Sequence, residues 1–325
     1  MIRYLLRRLG GAALVVVLVA VVAFVLFELL PGDAAEDLLS RSGAGVPSPE
    51  QLAALRAELG LDRPAVERFG DWASGLLQGD LGTSLLSRRP VSEILLPRVG
   101  NTVALAVVTV ALLMPVSLGL GLWAGSRPGS RVDRAVSTVV LAVQAVPPFV
   151  AGVLLIAVVA LGWGLLPAVS LVPTGTSVFA RPQVLVLPVL CLMAGLAPHP
   201  VRVIRARMAQ VMTTEYVTTA RLNGVSHRRV VLRHAAPNAV AAALQPMAGA
   251  VVGLVGGIAV IETVFAYPGL AQELLRAIAD RDHPVVQAAV VLMASFGVLV
   301  YLAADLLALW LTPGARDLVV DGVSR

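Results

Sequence analysis

Apolar and polar stretches alternate along this chain with a long period. Six apolar runs, at about 9–30, 102–124, 135–165, 184–201, 236–261 and 285–311, are separated by polar segments. A helix rises 1.5 Å per residue, so about 20 mainly apolar residues cross a bilayer core. Each run is long enough, and the pattern predicts an all-α integral membrane protein with six transmembrane helices. Arg3, Arg7 and Arg8 precede the first run. A cleaved leader has an apolar core of only about 7–15 residues, so this run reads as an uncleaved span. Pro31-Gly32-Asp33 then breaks the helix, and 31–100 is polar. Within it, Ser48-Pro49-Glu50-Gln51 carries a capping box, Leu52, Leu55 and Leu59 share a face, and Gly60 is a stop. Pro64 starts a second stretch, where Val66, Phe69, Trp72 and Leu76 recur at helical spacing. These short amphipathic helices predict a small helical cap on the membrane surface.

The runs carry their own punctuation. Pro115, Pro147, Pro148, Pro188, Pro198, Pro200 and Pro246 are expected to shape the bundle, since neighbours in a membrane re-satisfy the backbone freed by proline. Gly249, Gly253 and Gly257 recur every fourth residue on one face of the fifth run. Small residues so spaced let helices approach closely. They predict a helix at the centre of a bundle or at a subunit interface, not one facing lipid.

Composition agrees with the pattern. Of the 325 residues, 58% are apolar and 14% charged, and mean hydropathy is +0.86; a soluble domain has about 45–50% and about 25%. All 25 basic residues are arginine. A P-loop needs lysine to reach the nucleotide phosphates, so this chain does not bind ATP in that way. The net charge of +5 lies between spans rather than on a soluble face, which argues against a nucleic-acid partner. The lone Cys191, in an apolar run, reads as an inert buried thiol. His199, His227, His234 and His283 are scattered without the spacing of metal ligands.

Charge sets the orientation. With six spans both termini share a side, and that side holds 15 arginines and four acids; the other holds ten arginines and 15 acids. Arginine near span ends favours the cytoplasm. Both termini and the polar loops near Arg131 and 207–237 are therefore expected inside, and the 31–100 cap outside. The expected divisions are 1–30 (N-terminus and first helix), 31–100 (external cap), 101–311 (a five-helix core containing the 207–237 loop) and 312–325 (cytoplasmic tail).

The spans themselves hold few ionisable groups. An ion-driven transporter normally places such groups inside the membrane. Asp305 is the main exception and reads as the partner of a cytoplasmic arginine rather than a proton relay. Glu262 lies near the outer end of its span. With Gln144, Gln245 and Gly253 it makes up the candidate pathway or gate residues. None of them forms a relay by spacing, so the energy source is expected on another chain.

The polar island at 215–237 reads as a handle for that source. Glu215 to Arg221 predicts a short helix, Asn223-Gly224 stops it, a basic helix runs to about Arg233, and Pro237 starts the next span. A basic cytoplasmic loop alone would be unremarkable; the spacing from Ala220 to Gly224 to Pro237 is more specific. At these residues the chain resembles the inner-membrane permease subunits of ATP-binding-cassette (ABC) importers. Their loop reads Glu-Ala-Ala-x3-Gly-x9-Ile-x-Leu-Pro; here Thr218, Thr219, Ala220, Gly224, His234, Ala236 and Pro237 stand in register. Glu215-Tyr216-Val217-x-Thr219-Ala220-Arg221-x-x-Gly224 is similar to the dipeptide/oligopeptide/nickel branch. Arg7-Arg8-Leu9, Pro31-Gly32-Asp33-Ala34, Leu59-Gly60-Leu61-Asp62, Gly79-Asp80-Leu81-Gly82-Thr83-Ser84, Asp133-Arg134, Pro147-x-Phe149, Glu262-x2-Phe265 with Pro268-Gly269, and Arg281-Asp282-x-Pro284 extend the resemblance over nearly the whole chain. It is closest to the first permease of such systems.

The resemblance implies the type I importer permease fold and a bacterial cell-membrane location. It implies a second homologous permease, two ABC ATPase subunits that bind ATP and magnesium, and an external solute-binding protein. This chain would have no cofactor, metal or catalytic site of its own. The segment Glu215, Tyr216, Val217, Thr218, Thr219, Ala220, Arg221, Leu222, Asn223, Gly224 and Pro237 would form the ATPase-coupling loop. Arg228 and Arg229 would meet acidic ATPase residues, form a solvated basic face or meet anionic lipid. Peptides are the expected cargo, with nickel, haem or another small solute as alternatives. A solitary ion-gradient transporter and a membrane scaffold or channel are the competing classes.

Overall fold

The computed structural model describes residues 2–28, 35, 36, 39, 48–58, 60–173 and 176–311. Pro31-Gly32-Asp33, Leu59 and the 312–325 tail fall outside them. The described chain is helical: α1 (Ile2–Glu28), α2 (Pro49–Glu58), α3 (Ala65–Leu77), α4 (Val91–Gly125), α5 (Arg131–Gln144), α6 (Pro148–Leu155), α7 (Gln183–Leu196), α8 (Pro198–Val211), α9 (Glu215–Leu222), α10 (Ala236–Val264), α11 (Leu270–Ala279) and α12 (His283–Leu311). Four helices are long and apolar enough to cross a membrane. The bent pairs α5–α6 and α7–α8 bring the crossings to six if each pair is one span. Two compact units arise. One comprises 9–101 with 269–296; the other comprises 102–268 with the first residues and the chain from Gly297 onward.

In the first unit, α2 starts with both bonds of a capping box. The Gln51 amide donates to Ser48 Oγ (3.2 Å), and the Ser48 amide to Gln51 Oε1 (3.1 Å). In α3, Phe69 and Trp72 lie against Phe24 of α1, at 5.2 and 6.2 Å between ring centroids, while Val66 is exposed. Hydropathy alone places the second helix from 102. The structure starts it at Val91, because Val91 and Leu95, one turn apart, are buried with Leu270, Ala277, Val285 and Val286. Most of those partners come from α11 and the segment after it. Hydropathy gives no sign of α11, because an amphipathic helix of ten residues is too short and too polar to register as a span.

Asp282 ties this unit together. Its carboxylate accepts from the Ser84 hydroxyl and from the Leu85 amide (3.0 Å). Both Ser84 and Asp282 are buried, and the same Ser84 oxygen accepts from the Ser87 amide. An added Cβ at Gly82 would sit 3.8 Å from Pro284. Asp282→Ala strands the Ser84 hydroxyl and the Leu85 amide. A buried unpaired donor costs about 1–3 kcal/mol. The expected result is a lowered thermal midpoint and faster proteolysis within 82–90; unchanged protection of that segment would contradict the assignment.

In the second unit, two expectations from the pattern are corrected. The run at 135–165 is not one helix: α5 ends at Gln144 and α6 starts after Pro147, with 101° between them. Proline at 147 pushes Val146 out of the helical region, and Pro147-Pro148 removes two successive amide donors. A π-helical continuation (Ile156–Gly162) completes this arm. The run at 184–201 also breaks, by 50° at Ala197-Pro198, and its second limb continues as α8 to Val211, well past the predicted end.

A close helix approach also occurs away from the glycine ladder of α10. An added Cβ at Gly121 would lie 2.6 Å from Ile204 Cβ, and at Gly125 it would lie 2.5 Å from the Arg205 carbonyl oxygen. These two glycines, four apart, form the contact of α4 with α8. In α10 the buried stripe is Ala239, Ala243, Met247, Ala250, Leu254, Ile258 and Ile261. Gly249 and Gly253 are exposed in this chain, with Gly253 on the flank of the stripe, where a Cβ would lie 3.5 Å from Leu196. Gly257 is half-buried, and a Cβ there would meet Leu192 at 3.2 Å. The ladder is therefore not buried by its own chain.

Candidate functional site

The segment from α8 to α10 is built as a brace. After α8, Thr213 and Thr214 turn their hydroxyls back onto the carbonyls of Gln210 (2.8 Å) and Val211 (2.6 Å), which ends the helix. Then α9 begins, with Glu215 in its first turn and Arg221 in its last. Both charges complement the helix dipole. Val217 is fully buried among Met208, Met212, Val230, Ala235 and Ala239, with Ala220 and Val225 beside it.

The stop at Asn223-Gly224 has a defined geometry. Gly224 takes φ +77°, its amide donates to the Arg221 carbonyl (3.0 Å), and the Val225 amide donates to the Ala220 carbonyl (3.1 Å). This is a Schellman cap, and Ala220 and Val225 on either side of it both pack against the cluster that buries Val217. Only glycine, and to a lesser degree Asn, takes this conformation without strain. The opposite face of α9 is bare. Glu215, Thr218, Thr219 and Leu222 are exposed, and Leu222 is 82% exposed despite being apolar.

The far side of the brace differs from the predicted second helix ending before Pro237. The turn His227–Arg229 runs through a π-helical segment (Val230–Ala235) straight into α10, so Pro237 sits inside a continuous helical path. Proline has no amide and its ring collides with the carbonyl four residues back. The wider π turn placed just before it accommodates both defects. Next to Pro237, the Asn238 side-chain amide donates to the Tyr216 hydroxyl (2.9 Å), so α9 is tied to the start of α10. Asn238 was missed at the sequence level because its partner is 22 residues away. Burial and the nearby Arg127 and Arg221 push the His227 imidazole below its ordinary pKa. Arg228 and Arg229 are exposed, without a carboxylate partner among the described residues.

The other predicted residues are dispersed. Gln144 ends α5 and accepts from Arg202 of α8 (3.0 Å). Glu262 is fully buried and accepts from the Thr102 hydroxyl (2.6 Å), an arrangement that faces the chain's interior and not an open surface. Gly253 lies on the exposed face of α10. The side chain of Gln245 lies outside the described set. Asp305 meets Arg8 at 2.7 Å, a charge contact without hydrogen-bond alignment, and Arg8 also lies 5.7 Å from the Tyr301 ring centroid. Cys191 is buried and donates to the Pro148 carbonyl (3.2 Å).

An all-helical chain with several membrane crossings and a short, rigidly capped helix left bare between two of them has the build of a transport permease. The sequence comparisons give the family. The chain belongs to the binding-protein-dependent transport system inner membrane components: that family's model matches residues 117–317, and the model of its N-terminal part matches residues 1–106. A Brucella abortus protein named as a peptide transport system permease is 35% identical over 303 residues, covering 93% of this chain and 95% of that protein. A Sinorhizobium fredii protein named as a peptide ABC transporter permease is 33% identical, covering 96% and 99%. The glutathione transport system permease protein GsiC of Salmonella choleraesuis is 35% identical, covering 97% and 99%. The chain is thus a membrane permease component of a binding-protein-dependent ABC importer.

Proposed function

We propose that this chain forms half of the translocation pathway of an ATP-driven peptide importer, the other half being a second, homologous permease. Two ATPase subunits bind ATP and magnesium, and an external solute-binding protein delivers the peptide. The chain itself is non-catalytic and holds no cofactor; α9 is its contact with an ATPase. The observation that carries this reading is the form of α9. Its inner face is locked by Val217 and the Gly224 cap, while Thr218, Thr219 and Leu222 on its outer face are exposed among the described residues. A stiff helix with a bare apolar tip transmits a push better than a loop would.

Further support comes from the rest of the chain. The arginine bias favours both termini in the cytoplasm, on the same side as α9, with the 31–100 cap outside. The exposed glycine face of α10 suits close approach by the second permease, which puts Gly253 beside the pathway. Gln144 lies at the elbow of α5 and α6, and we assign it with Gln245 to the pathway. Glu262 acts as a lock on Thr102 at the outer end of α10. Relatives named for peptide or glutathione transport favour peptide cargo over nickel or haem.

Purification of the tagged chain from its own cells in mild detergent is expected to bring down a sister permease and P-loop ATPases, and vanadate is expected to stop peptide uptake. A chain that moves peptides alone in liposomes, driven by a proton gradient, would sink this reading.

A further inference from the structure

Asp133 and Arg205 form a bidentate ion pair, with Nε and Nη2 of the guanidinium 2.7 and 2.6 Å from the two carboxylate oxygens. Asp133 is 2% exposed. It is fixed on the first turn of α5, where it accepts from the Gly129 amide (2.9 Å) while its own amide donates to Ser130 Oγ (3.2 Å). Arg205 is held at its other end, because its carbonyl oxygen is the atom nearest the missing Cβ of Gly125. A planar fork on a carboxylate fixes orientation as well as distance, which a point charge does not.

The helices joined by the pair have definite neighbours. One and two turns beyond Arg205, Met208 of α8 and Met212 just after it are buried in one cluster with Val217 of α9 and Val230. Towards the other end of α8, Arg202 holds Gln144, the last residue of α5. So α5 is bound to α8 at both of its ends. Across the elbow, α6 is held instead by α7 and α10: Cys191 donates to the Pro148 carbonyl, and Gly152 admits Val264 at 2.8 Å from where a Cβ would be. The 101° elbow therefore lies between a limb clamped to α8 and a limb clamped to α7. A rotation of α8 against α7, at the Ala197-Pro198 bend, that carries α5 with it changes the elbow angle; α10, which packs on α8 through Ile204, Ala243 and Met247 and on α6 at Gly152, is the other tie across it.

We infer that the Asp133–Arg205 pair is the transmission link that makes α5 follow α8, converting displacement of α9 into movement at the elbow. Asp133 and Arg205 are positioning residues in this role, touching neither cargo nor nucleotide. The inference rests on α9 being the ATPase contact.

The test uses the whole importer in liposomes, with ATP hydrolysis and uptake of a labelled tripeptide measured together. Arg205→Lys keeps the charge and loses the fork; Asp133→Asn keeps the acceptor and loses the charge. Both complexes are expected to assemble and to hydrolyse ATP at the basal wild-type rate. Uptake per ATP should fall about tenfold, the usual scale of a coupling free energy. The double variant Asp133→Asn/Arg205→Lys should be no worse than the worse single, since both remove one link. Uptake that stays in wild-type proportion to hydrolysis overturns the link, as do single effects that multiply in the double. Failure of Arg205→Lys to assemble at all also overturns it, because the pair is then a folding clamp. A wild-type complex without ATPase-dependent uptake removes the proposed function instead, and so separates the two failures.

Discussion

A Gly224→Val permease is expected to insert and to copurify with its ATPase, yet to import almost nothing while ATP is still hydrolysed. The cause is confined to the backbone. An added Cβ at 224 meets nothing within 4 Å, so there is no collision to relieve. What changes is the cost of φ +77°, about 1–2 kcal/mol for an L side chain and more for a β-branched one. A helix of eight residues has little to set against that. If φ at 224 relaxes, the bonds to the Arg221 and Ala220 carbonyls are lost together, and Val225 leaves Ala220. The C-terminal end of α9, with Leu222 on its bare face, then has no fixed position. The series Gly, Asn, Ala, Val discriminates the cause. Asn visits this region most readily among the other residues, so Gly224→Asn should retain most uptake, with Ala between Asn and Val. An order that follows side-chain size through Asn would point to a steric contact with the partner rather than to the cap. Normal uptake by Gly224→Val would end the claim that α9 must be rigid.

That prediction could be framed from the sequence alone, and the reason is local. Asn223-Gly224 is a stop signal whose geometry is set by its own residues, as is the Ser48–Gln51 capping box. The membrane crossings were legible for a similar reason: the bilayer reads a run of about 20 residues, and hydropathy reads the same window. What stayed hidden depends on partners far away in sequence. Pro147-Pro148 announces a break, but the angle is set by what clamps each limb, and those residues lie on α7, α8 and α10. Asp133 and Arg205 are 72 positions apart; each looked like one more charge near a span end. Glu262 suggests a pathway group, but its partner Thr102 lies 160 positions away. The Gly-x3-Gly spacing at 249–257 reads as a sign of close approach, but nothing in that spacing names the partner. The same spacing at 121–125 passed unremarked, and it is there that the chain's own helices meet most closely.

The second large effect follows from that contact. In an ordinary helix, Gly→Ala stabilises by about 1 kcal/mol through propensity, and on α4 three glycines are expected to separate by surroundings alone. At Gly119 an added Cβ meets nothing within 4 Å, so Gly119→Ala should raise the thermal midpoint of the detergent-solubilised complex or leave it unchanged. At Gly121 the new methyl would sit 2.6 Å from Ile204 Cβ and 3.0 Å from the Val201 carbonyl; at Gly125 it would sit 2.5 Å from the Arg205 carbonyl and 2.6 Å from Met208 Cβ. Carbonyl oxygens and Cβ atoms are not the ends of flexible side chains, and no rotamer change moves them. The helices must separate instead. Overpacking of this kind costs about 1–3 kcal/mol, which exceeds the propensity gain over most of that range. Gly125→Ala should be the worse of the two because backbone is its nearest obstacle, and because that carbonyl belongs to Arg205. Displacing it pulls the guanidinium off Asp133, so the loss at 125 should include coupling as well as stability. Gly121→Ala should lower the midpoint while uptake per ATP stays closer to wild type. A Gly125→Ala complex as stable as Gly119→Ala would show that α4 and α8 are not in contact through these residues.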